Sequence, residues 1–249
     1  MRKARTVFGG RPVGEPVLTY ALIALTVLAY LVELARPAVV GQFDNLGAAL
    51  VDADGQQYVD DGGSYPGYQP IGVAHGEWYR LITSGFLHLQ QDAGVFGITH
   101  ILFNLYWIWL LGRILEDRLG RVRFLAVYLL ATLGGSVLEM LVAPGQRALG
   151  ASGAVFGLAA CYFVITRRLH HHPLDRNRLI MMFVLWMVFS ASFTSWEGHL
   201  GGLLAGGATA AGFAYAPKKR QALVQAAVTV ALAALLVGLV VLKALELSA

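Results

Sequence analysis

Charged side chains are scarce in this sequence: they make up 14% of 249 residues, against roughly 25% in soluble domains. That scarcity excludes an ordinary water-soluble globule, which would lack the polar groups to cover its surface. Cysteine is rarer still. Cys161 stands alone within an apolar run, which excludes an intrachain disulfide. No H-E-x-x-H occurs to hold zinc, and no aspartate falls inside any long apolar run to form an acid pair. The short alternating segments of a membrane barrel, about ten residues each, are missing too. The net charge of +4 is modest, and the basic residues report topology and not nucleic-acid binding.

What is present is apolar sequence. Hydrophobic residues account for 57% of the chain, and several runs approach the ~20 residues that a helix needs to cross ~30 Å of hydrocarbon. The pattern predicts an all-α, polytopic membrane helical bundle with seven spans, at about 17–35, 94–112, 122–142, 152–167, 179–195, 198–215 and 222–245. The first run follows the basic stretch MRKARTVFGGRPVGEP. It exceeds the ~7–15 residues of a signal-peptide core, which predicts a retained helix. Three parts result: an N-terminal segment 1–16, a six-helix core 17–215 that includes an outer loop 36–93, and a basic linker with a seventh helix, 216–249.

Basic residues orient the bundle. Arg2, Lys3, Arg5 and Arg11 precede the first span, and Arg113, Arg118, Arg121 and Arg123 separate the second from the third. Arg167, Arg168, Arg176 and Arg178 separate the fourth from the fifth, and Lys218, Lys219 and Arg220 precede the seventh. Seven spans put these 15 of the 19 basic residues on one side, which the positive-inside rule makes cytoplasmic. A multi-pass protein of the cell membrane with a cytoplasmic N-terminus is expected. The 36–93 segment, carrying Asp44, Asp52, Asp54, Asp60 and Asp61, then lies outside. Its first part has turn chemistry and no helical period, as in an irregular outer loop. Its second part, GEWYRLITSGFLHL, mixes aromatic residues with Arg80 and suits the membrane interface. His170, His171 and His172 read as a solvated polar turn at a cytoplasmic helix end, with no metal called for.

Polar side chains inside spans are costly, so each is a functional candidate. Ser152 opens the fourth span, His199 opens the sixth, and His100 and Asn104 share one face of the second. These three spans all run from outside to inside, so the four residues converge on the outer half of the bundle and form a cavity open to the extracytoplasmic side. Glu139 and Glu33 lie near the outer ends of the third and first spans. A serine hydroxyl is a weak nucleophile until a base accepts its proton, and His199 is at the right depth to do so. The helix start at Ser152 offers unpaired N–H groups to a developing oxyanion, which His100 and Asn104 can supplement. Glu197, two residues from His199, faces elsewhere on a helix, so a Ser–His dyad is expected and not a triad.

Small residues complete the pattern. Gly202 and Gly206 continue the His199 face, and Gly153 and Gly157 make a matching stripe beside Ser152. Such stripes let membrane helices approach closely, close enough for imidazole and hydroxyl to meet. Phe156, one turn below Ser152, is positioned to pack on the imidazole. A transporter would instead place charged residues or broken helices near the midplane.

The segments GEWYRLITSGFLH (76–88), HILFN (100–104), GASGAVFG (150–157) and HLGGLLAG (199–206) resemble the rhomboid family of intramembrane serine proteases. The resemblance implies hydrolysis of peptide bonds in or near the transmembrane segment of membrane-protein substrates, within the lipid bilayer and without cofactor, metal or nucleic acid. It implies Ser152 as nucleophile and His199 as general base and then acid. His100, Asn104 and Gly150 would form the oxyanion site, with Phe156, Gly202, Gly206, Trp78 and Arg80 in support. A lateral gate between spans two and five would involve Phe103, Trp107, Trp186 and Phe189. Two departures stand out: eleven residues separate His88 from His100, more than is usual, and position 156 is Phe where many relatives carry Tyr. The span 222–245 matches the extra helix of seven-span members. An inactive relative that binds membrane-protein clients is the alternative, although such relatives typically lose the serine or the histidine.

Overall fold

A computed structural model of the chain describes residues 5–60, 62, 63, 65–89, 94–170, 173–191 and 195–248. Arg2, Lys3, His171 and His172 lie outside the described residues, as does part of the stretch between His88 and His100. The long helices are α1 (Val17–Ala35), α4 (Val95–Leu119), α5 (Arg121–Val142), α6 (Ser152–Leu169), α7 (Arg176–Ser190), α8 (Trp196–Ala214) and α9 (Gln221–Leu247), with short helices α2 (Ala38–Phe43) and α3 (Arg80–Thr83) between α1 and α4. Among the described residues α1, α5, α4 from Gly97 on, and α9 with its lead-in from Lys218 are long and apolar enough to cross a membrane. The protein is a polytopic helical bundle of the membrane.

Local chemistry sets several boundaries. Gly120, at φ +77°, turns the chain between α4 and α5, a conformation that side-chain-bearing residues avoid. Asp175 caps α7 by accepting from Arg178 N at 2.9 Å, and Ser195 caps α8 by accepting from Gly198 N at 3.0 Å. Helix α4 continues past the expected end at 112 because its extra turns carry Glu116, whose side chain is buried. That carboxylate accepts from Leu18 N, Thr19 N and Thr19 Oγ1 at 3.1, 2.8 and 2.8 Å. It thus satisfies the unpaired amides that open α1 and locks α1 to α4.

The outer loop is more ordered than its turn-rich composition predicts. It forms α2 and a three-stranded antiparallel sheet, β1 (Ala49–Val51), β2 (Gln57–Tyr58) and β3 (Gln69–Ile71), in the order β2-β1-β3. Leu50 pairs with Tyr58 on one side and with Pro70 on the other. An ion-pair cluster ties this loop down. Buried Arg80 donates to Asp44 Oδ1 and Glu77 Oε2 at 2.8 Å each, and Arg147 donates to Asp44 Oδ1 at 2.9 Å. Trp78 beside it is 40% exposed.

At the centre, α5, α6 and α8 meet backbone to backbone. A Cβ at Gly202 would collide with the Gly153 carbonyl, and one at Gly157 would stand 2.8 Å from Gly202 O. The expected small-residue stripes of α6 and α8 therefore do face each other.

Candidate active site

Ser152 is the first residue of α6, and His199 lies in the first turn of α8. Because the glycine faces bring these helices together, His199 Nε2 lies 2.9 Å from Ser152 Oγ. The Phe156 ring stacks on the imidazole with centroids 4.4 Å apart and planes at 16°. His199 is buried and so is Phe156. A ring face against the imidazole leaves it free to rotate only in its own plane, which keeps Nε2 aimed at the hydroxyl.

Opposite the hydroxyl lies His100 of α4. Gly150, at φ +131°, leaves the space between them open: a methyl group there would stand 3.0 Å from His100 Cε1 and 3.5 Å from Ser152 Oγ. Leu89 N donates to His100 Nδ1 at 3.4 Å. A neutral imidazole that accepts at Nδ1 carries its proton on Nε2, the nitrogen nearest the Gly150 gap. Asn104 is buried one turn deeper and donates an amide N–H to the His100 carbonyl at 3.0 Å. It does not line the cavity beside Ser152, so the structure brings together Ser152, His199, His100 and Gly150 and leaves Asn104 behind His100.

His88 does reach this neighbourhood despite the long intervening stretch. Its ring centroid is 5.1 Å from that of His100, and its backbone N–H donates to the buried carboxylate of Glu33 at 3.1 Å. The C-terminal end of α1 thus supports the wall that holds His100.

A small cavity of about 30 Å³ opens beside the Ser152 hydroxyl, above the ~10–15 Å³ that one water requires. Its walls include Ser84, Thr132, Ser136, Glu139 and Ser195 along with Ser152, His100 and His199. Of these, Glu139 is already a candidate from sequence, whereas Ser84, Ser136 and the nearby Asn45 are not. Asn45 Nδ2 donates to Glu139 Oε2 at 2.7 Å and to Ser136 O at 3.1 Å, while Ser84 O accepts from Gly150 N at 3.0 Å. The Asn45 bonds join the 36–93 loop to α5, and the Ser84 bond joins it to the backbone that leads into Ser152. Asn45 and Ser84 lie in the loop and carry no sequence signal, and of the two residues within a span Glu139 alone displays a costly charged group. Glu197 hydrogen-bonds with Ser195 Oγ at 3.3 Å, in the cap of α8.

Toward α7, Phe103 stacks on Trp186 at 4.3 Å and 21°, Trp107 meets Phe183 edge-on at 5.1 Å, and Phe189 lies 6.4 Å from Trp186. The four residues expected at a lateral gate thus occupy one aromatic seam between α4 and α7.

Comparison with known proteins gives the chain a family. The family profile described as Rhomboid domain matches residues 75–216. Rhomboid protease GluP of Bacillus subtilis is 36% identical over 138 residues, covering 54% of this chain and 26% of that protein. YdcA of the same bacterium is 37% identical over 141 residues, 55% of this chain and 67% of its own length. Rhomboid protease GlpG of Yersinia pseudotuberculosis is 32% identical over 111 residues, 44% of this chain and 37% of that protein.

Proposed function

This chain belongs to the rhomboid family, and on that premise we propose that it is a serine endopeptidase that cleaves membrane proteins in or near a transmembrane segment, using Ser152 and His199 as a dyad. The observation that carries this reading is the 2.9 Å contact between His199 Nε2 and Ser152 Oγ at the start of a helix. His199 takes the hydroxyl proton as Oγ attacks the scissile carbonyl. The oxyanion is met by the unpaired N–H groups of the first turn of α6 and by His100 Nε2–H, while Asn104, bonded to the His100 carbonyl from behind, stays out of the donor set. His199 then passes its proton to the leaving amine. A water from the Ser84–Ser136–Glu139 cavity, deprotonated by His199, hydrolyses the ester and restores Ser152.

The seven-span topology follows from the charge distribution, with the site open to the extracytoplasmic side, residues 17–215 as the six-helix core and 216–249 as an appended linker and helix. Substrate enters between α4 and α7 through the aromatic seam. A helical substrate hides its carbonyls in i to i−4 bonds, so small residues at the cleaved position and helix-breaking residues nearby are expected. The alternative of an inactive, client-binding relative is disfavoured because both dyad residues are retained in contact.

The test is cleavage of a fluorogenic transmembrane substrate by purified protein in detergent. Ser152→Ala and His199→Ala are each expected to lower kcat by about 10⁶, as loss of a paired nucleophile or base does in a serine protease. A fluorophosphonate probe should label wild type and leave Ser152→Ala unlabelled. Cleavage by either variant at the wild-type rate would overturn the assignment.

A further inference from the structure

At the other end of α4 from Ser152, a concavity of about 550 Å³ lies between that helix and the segment leading into α1. Pro16, Leu110 and Ile114 form apolar walls, and Arg113, Asp117 and Arg118 supply the polar groups. Its depth in the membrane follows from α4 itself. Counted from Val95, ~30 Å of hydrocarbon takes about 20 residues at 1.5 Å each. The inner boundary therefore falls between Arg113 and Arg118. Arg113 lies over the Trp109 ring at 4.7 Å, and Trp109 is 37% exposed, as suits the headgroup level. Among the described residues no ion pair engages Arg113, Arg118 or Asp117.

We propose that this concavity is a binding site for the headgroup of a singly anionic glycerophospholipid of the cytoplasmic leaflet, with phosphatidylglycerol as the fitting chemistry. Two guanidinium forks match the non-bridging oxygens of a phosphodiester. Leu110 and Ile114 continue toward the hydrocarbon and receive the first methylenes of the acyl chains. Asp117 makes the site selective. It accepts a hydrogen bond from a headgroup hydroxyl and opposes a second negative charge. Free phosphate satisfies the arginines but leaves the apolar walls bare and sets a second charge against Asp117. The site uses none of the groups placed around Ser152, so it stands or falls independently of the protease assignment.

Native mass spectrometry of the full-length protein, delipidated in mild detergent and titrated with phosphatidylglycerol, phosphatidylcholine or inorganic phosphate, tests the proposal. At about 1 kcal/mol per basic residue at the membrane surface, Arg113→Gln with Arg118→Gln should weaken phosphatidylglycerol binding roughly thirtyfold and leave phosphatidylcholine binding unchanged. Asp117→Asn should raise the affinity for inorganic phosphate severalfold, because the group that opposes a second negative charge is gone. Equal retention of the two lipids by wild type, or undiminished phosphatidylglycerol binding by the double variant, overturns the site. Thermal stabilisation by millimolar phosphate equal to that by phosphatidylglycerol identifies a free-anion site and overturns the lipid assignment.

Discussion

Helices α8 and α7 both pack against α6, yet they are held by opposite means. Helix α8 meets α5 and α6 through bare backbone: Gly202 against the Gly153 carbonyl, Gly206 against Gly157, and Gly198 O close to Gly135 and Gly153. Helix α7 is held by ring faces, Trp186 on Phe103 and Phe183 on Trp107 and Phe156. Behind it an apolar groove of about 580 Å³ remains between α6, α7 and α8, lined by residues such as Phe163, Val184 and Leu203. Trp186 Nε1 and Trp107 Nε1 are buried and find no hydrogen-bond partner among the described residues. Glycine contacts fix an interhelical distance, since any added atom collides. Aromatic contacts tolerate sliding, and a gap beside them leaves room for it. The proposed dyad, whose geometry must hold to well under 1 Å, lies on the first kind of contact. The seam through which substrate is proposed to enter is built from the second.

The sharpest way to break this contrast is Gly202→Val. The first added carbon already meets the Gly153 carbonyl, so α8 must move away from α6 and take His199 with it. Cleavage should fall toward the ~10⁶ loss of a missing dyad residue, and the thermal unfolding midpoint should drop with it. Activity within twofold of wild type would show that the close approach does not set the dyad distance.

Next in size is His100→Ala, on a helix outside the glycine contacts. Loss of one oxyanion donor typically lowers kcat by about 10²–10³. Here KM and the unfolding midpoint should stay nearly constant, because the backbone contacts of α5, α6 and α8 are untouched. A midpoint shift as large as that of Gly202→Val would mean that His100 acts as a packing residue.

The same contrast explains what could be read in advance. Helix positions and the facing stripes of α6 and α8 were legible because they depend on local period: Ser152, Phe156, His199 and Gly202 each lie at a helical spacing from the next relevant residue. The outer loop was not. Asp44 finds Arg80 across 36 residues and Arg147 across 103, and β1 joins strands on both sides of itself. Turn residues disclose none of those partners. Glu116 escaped for a related reason. Its carboxylate caps a helix 97 residues earlier in the chain, so nothing near it in sequence shows why α4 continues past the hydrocarbon. Glu139 could be seen as a buried acid, but not its partner Asn45 in the outer loop.

The smallest expected effect is the most discriminating, and it falls on Trp186. Trp186→Ala removes the stack on Phe103, which contributes about 0.5–1.5 kcal/mol beyond area burial in aromatic pairs. In water such a truncation would also cost the transfer of a large apolar surface. In a bilayer lipid chains are as apolar as the side chain they replace, and Val184, Val188 and Phe189 of α7 are already more than half exposed. The unfolding midpoint should therefore move by only a few degrees. With the seam between α4 and α7 loosened, cleavage of a transmembrane substrate should rise severalfold. Fluorophosphonate labelling of Ser152, which needs no opening wide enough for a helix, should be unchanged. The two readouts separate access from chemistry. If Trp186→Ala instead slows both cleavage and labelling and lowers the midpoint as Gly202→Val does, α7 belongs to the same fixed unit as α8, and substrate must reach Ser152 from another side.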